Sequence, residues 1–570
     1  MSDAITRVIR GGTIIDGSGA DPVEADIAMS GGKITAIGRA LPKGNEEIDA
    51  RGKIVTPGFI DVHTHYDAQV TWANAMSPTS WHGVTTAMIG NCGVGFAPCR
   101  PSQREMLVKL MEGVEDIPEV VLTEGLPWNW TSFPDYLDAL GARHYDLDIV
   151  AQVPHAALRV YVMGARGADR EPATAADRAE MARLAGEGIR AGALGFSTSR
   201  TLNHKTIDGA SIATLGAAEA ELTEIAMALK EAGAGWLQVV SDFDDPVEEF
   251  ALLRRLAEKS GRPLTITLLQ YDRRPDGWRR LLDRIAESNA AGTRITGQIR
   301  NRPTGVLLGF EISQNPFMTR PSYLAIAELP FTKRIEILRD PAFRARLLAE
   351  APTDAFMAQR TARWDRVFLL GDPPEYEPAP ETSVAARATR EGRSPDDVAY
   401  DLLLGQDGKA ILYRPMTNYT AGNLDAVREM IADPNSLIGL GDGGAHVGIM
   451  CDASSTSYML THWTRDRARG GLFTIPEAVR RLTGDCARAI GLNDRGLLRP
   501  GYKADINVID YDRLHIAAPE VIYDLPGGGR RLIQRTRGYD ATLVSGVPVY
   551  RDGVATGQLP GRLVRGSRDS

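Results

Sequence analysis

Residues 54–67 read IVTPGFIDVHTHYD: an apolar run that ends in two histidines, His63 and His65, separated by one residue. β-branched and aromatic residues followed by a polar tip read as a buried strand of a parallel sheet. A spacing of two places both imidazoles on one face of an extended segment. The chain contains nine histidines in 570 residues, so two of them at one strand end is a marked concentration. Two imidazoles so placed can converge on a metal ion, or can be a structural pair held by hydrogen bonds.

Seven further runs have the same texture: VTTAMIG (84–90), DIVAQVP (148–154), ALGFSTS (193–199), GWLQVVS (235–241), PLTITLLQ (263–270), TRITGQI (293–299) and SLIGLGD (436–442). Between them lie stretches such as TAADRAEMARLAGEGIRAG (174–192) and AAEAELTEIAMALKEAG (217–233), with apolar residues every three or four positions. Eight strands alternating with helices predict an α/β fold, a (β/α)8 TIM-like barrel over residues 54–492. A long insertion, about 304–435, carries helical patterns at 331–352 and 396–409 and is expected to wall the barrel mouth. Residues 1–53 and 493–570 share a different style, short β-type runs broken by Gly and Asp, and predict one small β-sandwich domain built from both chain termini.

Composition narrows the function. A 43% hydrophobic and 24% charged chain is globular, and a net charge of −8 gives no general basic surface for nucleic acid. Four scattered cysteines do not form a disulfide framework. Neither a secretory signal nor a run of about 20 apolar residues is found, so a soluble cytoplasmic protein without membrane contact is expected. The expected partner is a small-molecule substrate, and a homo-oligomer is compatible with the sequence.

In a barrel of this kind reactive groups gather at the carboxyl ends of the strands. Strands eight and one are neighbours, so Asp442 in GLGDGGAH would face His63 and His65. Cys92, in IGNCGVGF after strand two, would reach the same mouth, either as a thiolate ligand or as a small buried hydrophobe. His446, four residues beyond Asp442, would serve as a donor to a developing oxyanion or support the aspartate from behind. His155, at the end of strand three, would orient substrate or pack within the wall. For a carboxylate on the substrate, Arg300 and Arg302 near the end of strand seven are the expected partners, with Arg200 behind them.

The segments GGTIIDGSG (11–19), GKIVTPGFIDVHTH (52–65), GDGGAH (441–446) and GLLRPGYKADINVID (496–510) resemble the amidohydrolase superfamily. Within it, HGVTTAMIGNCGVGFAP (82–98) and LRVYVMG (158–164) resemble the N-acyl-D-amino-acid deacylase, or D-aminoacylase, branch. The resemblance implies a zinc-dependent hydrolase of carbon–nitrogen bonds other than peptide bonds, cleaving a linear amide such as an N-acyl-D-amino acid. It implies zinc held by His63, His65, Cys92 and Asp442, with Asp442 also taking and returning the proton of the attacking water.

The chain departs from that branch on strands five and six, where metal-binding histidines are expected. LQVVSDFDD (237–245) and TLLQYDRRP (267–275) contain none, and Ser241 and Gln270 are read as standing in their places, with Asp242 or Asp272 as substitute oxygen ligands. One tight zinc site is therefore expected, and a second lacks its ligands. Strand four contains no lysine, which weakens a cyclic-amide reading. Two alternatives remain at this stage: hydrolysis of a cyclic amide, imide or other amide-like bond, or a catalytically impaired barrel that only binds a ligand.

Overall fold

The computed structural model describes residues 5–566. Eight parallel strands form one sheet in the order of the chain: Phe59–Asp61, Val84–Ile89, Asp148–Pro154, Gly195–Arg200, Trp236–Ser241, Leu264–Thr267, Ile295–Ile299 and Ser436–Ile438. Each runs beside its predecessor, with helices such as Ala175–Ala191 and Glu219–Glu231 on the outer face. Ala175–Ala191 starts where Thr174 and Asp177 cap one another and stops at Gly192, which takes the left-handed conformation (φ 114°). The sheet curls until its ends meet. Asp442 N–H donates to the His63 carbonyl at 2.9 Å, and His65 N–H donates to the Gly443 carbonyl at 2.8 Å. The fold is the expected (β/α)8 barrel.

The approach of strand eight to strand one needs glycine. A Cβ on Gly441 would lie 1.9 Å from Asp61 Oδ2, so any side chain there would push Asp442 away from the histidines.

Both ends of the chain contribute to a nine-stranded mixed sheet. Ile54–Pro57 is its centre, pairing parallel to Arg7–Ile14 and antiparallel to Ile506–Ile509, over a core that includes Ile9, Ile27, Val55, Ile506, Val508 and Leu543. This small β-sandwich is the one expected from the termini. The run 54–62 is not one barrel strand, however. It divides at Gly58, whose N–H donates to the Asp505 carbonyl at 2.8 Å and whose missing Cβ would collide with Thr85 Oγ1. Ile54–Pro57 belongs to the terminal sheet and only Phe59–Asp61 enters the barrel. At the other end, residues 561–566 return to the barrel: Val564 N–H donates to Ile149 O and Gly566 N–H to Gly192 O.

The excursion between strands seven and eight has a core of its own, including Phe310, Phe317, Leu338 and Tyr400. It contains a three-stranded sheet, Gly305–Leu308, Phe368–Leu369 and Leu412–Pro415, and the helices Phe331–Leu338, Pro341–Ala349, Ala355–Thr361 and Pro395–Gly408. No helix among the described residues is long and apolar enough to cross a membrane.

Candidate metal centre and cavity

His63, His65 and Cys92 come together at the mouth of the barrel, with one ligand atom of each within 4.8 Å of the others. All three are at least nine-tenths buried. His63 Nε2 lies 3.2 Å from Cys92 Sγ and 3.7 Å from Asp442 Oδ1. Behind the ring, His63 Nδ1 lies 2.8 Å from Gln298 Oε1 on strand seven. A carboxamide oxygen can only accept, so Nδ1 carries the proton and Nε2 presents its lone pair to the cluster. From strand five, Gln238 Oε1 accepts the Cys92 backbone N–H at 2.9 Å.

The backbone here is held in unfavourable shapes. Cys92 (φ 54°), Asp442 (φ 44°) and His446 (φ 49°) all occupy the left-handed region. Each costs roughly 1 kcal/mol or more, an expense that persists where the surrounding structure dictates it and that clusters at functional sites.

Electrostatics favours a cation. Asp61 Oδ2, Asp67 Oδ2, Glu115 Oε2 and Asp442 Oδ1 are buried oxygens without a hydrogen-bond partner. Burial pushes the carboxyls of Asp61 up to about 7 and Asp67 up to about 8, and lifts Glu115 well above its usual range. Burial opposes ionisation of Asp442 too, but the Arg300 guanidinium, the largest opposing influence, holds this carboxyl below the ordinary range. Desolvation keeps His63, His65 and His446 neutral, the last lowered to about 4. Neutral imidazoles, a thiol and the ionised Asp442 carboxylate suit a borderline-soft divalent cation such as zinc. The residues present therefore fit a metal ion.

The cluster opens into a cavity of about 700 Å³. His446 and Arg300 line it, as do Thr304, Val306, Arg360 and Met416 of the excursion, which walls the mouth as its position suggested. On the side of strands five and six the lining is Val240, Asp242, Thr267, Leu269 and Tyr271. Ser241 and Gln270 do not occupy the ligand positions. Ser241 donates to Glu249 on the outer helix at 2.9 Å, and Gln270 donates to Pro275 O at 3.2 Å, because residues alternate across a strand and both lie one register from the inward set. Asp242 faces the cavity but is engaged, accepting from Thr201 Oγ1 at 2.7 Å and Leu202 N–H at 2.8 Å. Asp272 is bound at the surface by Thr420 and Arg363.

The other candidates take up partners of their own. His155 begins the helix His155–Met163 directly after Pro154, which carries its ring away from the mouth. It is fully buried between Thr198 Oγ1 and Glu221 Oε1, each at 2.8 Å. Arg302 is also fully buried, against Asp452 (2.6 Å) and over the Tyr376 ring, and does not line the cavity. Arg300 does line it, but its two terminal nitrogens are taken by Asp442 and Asp452. Arg200 pairs with Glu249 outside the cavity.

Residues without a sequence signal also gather here. His204, from the loop after strand four, lines the cavity with Nδ1 2.8 Å from Ser199 Oγ. Glu115, at the end of the helix Arg104–Glu115, lies with Oε1 3.1 Å from His65 Nδ1, without the alignment of a made hydrogen bond.

Residues 46–550 match the model of the amidohydrolase family. The chain belongs to that family. An amidohydrolase is a hydrolase of carbon–nitrogen bonds other than peptide bonds, and this one is a metal-dependent amide hydrolase by membership. Its sequence is 28% identical to a D-aminoacylase of Alcaligenes xylosoxydans xylosoxydans over 567 residues, 99% of this chain and 98% of that one. It is likewise 28% identical to an N-acyl-D-aspartate deacylase of the same organism, over 98% of this chain and 94% of that one. The fold matches a solved N-acyl-D-glutamate deacylase from Bordetella bronchiseptica, complexed with zinc and a phosphonate inhibitor, with a TM-score of 0.64 at 24% identity over 99% of this chain and all of that one.

Proposed function

We propose that this amidohydrolase is a deacylase that cleaves the linear amide of an N-acyl amino acid, with the D configuration that its relatives' names specify. The observation that carries the reading is the convergence of His63, His65 and Cys92 at an open cavity, with Asp442 Oδ1 3.7 Å from His63 Nε2. His63, His65 and Cys92 are the proposed ligands of one divalent cation, zinc by its donor set, with Asp442 at its edge. Such a cation, when bound, polarises a carbonyl and makes water acidic enough to attack near neutral pH.

The chain's own groups do the rest. Arg300 holds Asp442 by one oxygen and keeps it ionised, which leaves Oδ1 to take the proton of the attacking water and return it to the departing nitrogen. His446, neutral above a pH of about 4, lines the cavity and can donate to the carbonyl oxygen as negative charge develops there. With Arg300 and Arg302 committed to aspartates, Arg360 is the arginine assigned to the substrate carboxylate. It lines the cavity, pairs with no acid among the described residues, and has a buried Nε without a partner.

The reading is tested by assaying N-acetyl-D-amino acids beside hydantoins and other cyclic amides, with wild type and Asp442→Asn. Hydrolysis of the linear compounds that vanishes in the variant is expected. Activity confined to rings would overturn it.

A further inference from the structure

Glu115 is in an expensive position. Its side chain is 1% exposed, and it terminates the helix Arg104–Glu115, where the helix dipole disfavours negative charge. One carboxylate oxygen has no partner, and the polar neighbours of the group are His65 Nδ1 at 3.1 Å and the backbone N–H of His446. The adjacent Asp116 shows what a satisfied acid at this helix end looks like: its Oδ2 accepts from Ser313 Oγ at 2.9 Å and from Gly448 N–H at 3.1 Å. The backbone fixes Glu115 in place as well, since its carbonyl accepts Val447 N–H at 3.1 Å, next to His446.

We infer that Glu115 is a positioning residue of the metal centre, accepting the Nδ1 proton of His65 and turning Nε2 toward His63 and Cys92. The inference rests on the proposed metal-binding role of those three residues. Gln298 accepts from His63 Nδ1 at 2.8 Å, and Glu115 stands 3.1 Å from His65 Nδ1, so one imidazole has an amide behind it and the other a carboxyl group. The difference has a chemical consequence. A carboxylate behind an imidazole raises the ring's donor strength as well as fixing its tautomer and plane. In a chain whose strands five and six supply no imidazole to the mouth, the donors that remain must bind tightly without that help. No motif marks Glu115, and it comes from a helix after strand two, not from a strand end.

The experiment is zinc affinity of metal-stripped full-length protein, measured by competition with a chromophoric chelator and independently of turnover. The proteins are wild type, Glu115→Ala, Glu115→Gln, and Glu105→Ala as a control on the exposed face of the same helix. The expected result is a loss of about 10- to 100-fold in Glu115→Ala, a smaller loss in Glu115→Gln, which keeps an acceptor without the charge, and none in the control. The cobalt-substituted proteins supply a second readout. Thiolate absorption from Cys92 should persist in both Glu115 variants while the ligand-field bands shift.

Wild-type affinity and an unshifted cobalt spectrum in Glu115→Gln and Glu115→Ala would overturn the assignment. If the alanine variant does not fold, the glutamine variant decides by the same criteria. A wild-type protein that binds no zinc would instead remove the metal reading on which this rests, so the two failures are distinguishable.

Discussion

The two halves of the barrel mouth differ in kind. On the arc of strands one, two and eight stand His63, His65, Cys92 and Asp442, close-set and rich in lone pairs. On the arc of strands five and six the same cavity is lined by Val240, Thr267, Leu269 and Tyr271, with Asp242 already bound to the loop after strand four. A site that held two metals in equivalent cradles would need donors on both arcs. The contrast teaches why the proposed cation is placed on one arc and the body of the proposed substrate on the other.

The largest expected effect comes from disarming the donor-rich arc. Replacing His63 by Ala should abolish retention of zinc through gel filtration and lower kcat/KM by about three orders of magnitude or more, roughly 4 kcal/mol of transition-state stabilisation. Retained metal with near-native turnover would erase the distinction between the arcs. The reverse change sharpens it. Imidazoles at the two inward positions, in the double variant Val240→His and Leu269→His, should raise tightly bound zinc from one equivalent to two by elemental analysis. No added equivalent in a folded double variant would show that the apolar arc is shaped against metal and not merely short of ligands.

Asp442→Asn keeps the shape of the donor-rich arc but removes its proton acceptor. Turnover should fall by about 10² to 10⁴-fold while bound zinc stays near one equivalent. A fall in metal alone would make Asp442 chiefly a ligand.

Acid sensitivity should arise behind the mouth. His82 is fully buried between Ser457 Oγ (2.8 Å) and the Gln534 carbonyl (3.0 Å), and burial lowers its pKa from 6.5 to about 4. Below pH 6.5 the unfolded chain takes up a proton that the folded one refuses, so this stabilising contribution is complete above that pH and lost on acidification toward 4. The loss amounts to at most about 3 kcal/mol, and urea titrations of wild type and His82→Gln across that window should differ in slope. On the substrate side of the mouth, Arg360→Met should raise KM for an N-acetyl-D-amino acid by about 10-fold, and leave KM for its carboxamide unchanged. Equal effects on both would make Arg360 part of the wall only.

The arcs also differ in how they could be read from sequence. The donor-rich one was legible because its residues follow apolar runs at strand ends: an H-x-H spacing fixes a common face, and the first and last strands of a closed barrel must be neighbours. The apolar arc was read one residue out of register. Ser241 and Gln270 are polar residues at or just past the ends of their strands, but alternation turns Val240 and Leu269 inward, and polarity is a poor guide to direction where both faces of a strand are buried. His155 takes the packing role, one of its two expected ones, because Pro154 leads the chain straight into a helix. Arg302 lies near the expected strand end, yet its burial against Asp452 is a tertiary fact that no local pattern carries. Glu115 and His204 reach the cavity from a helix end and a loop, where no spacing rule applies.

The most direct test of one-sided metal binding is a zinc titration of the stripped wild-type protein, with elemental analysis after dialysis. The account predicts a single tight equivalent that depends on His63. Two tight equivalents of similar affinity, or none at all, would contradict it.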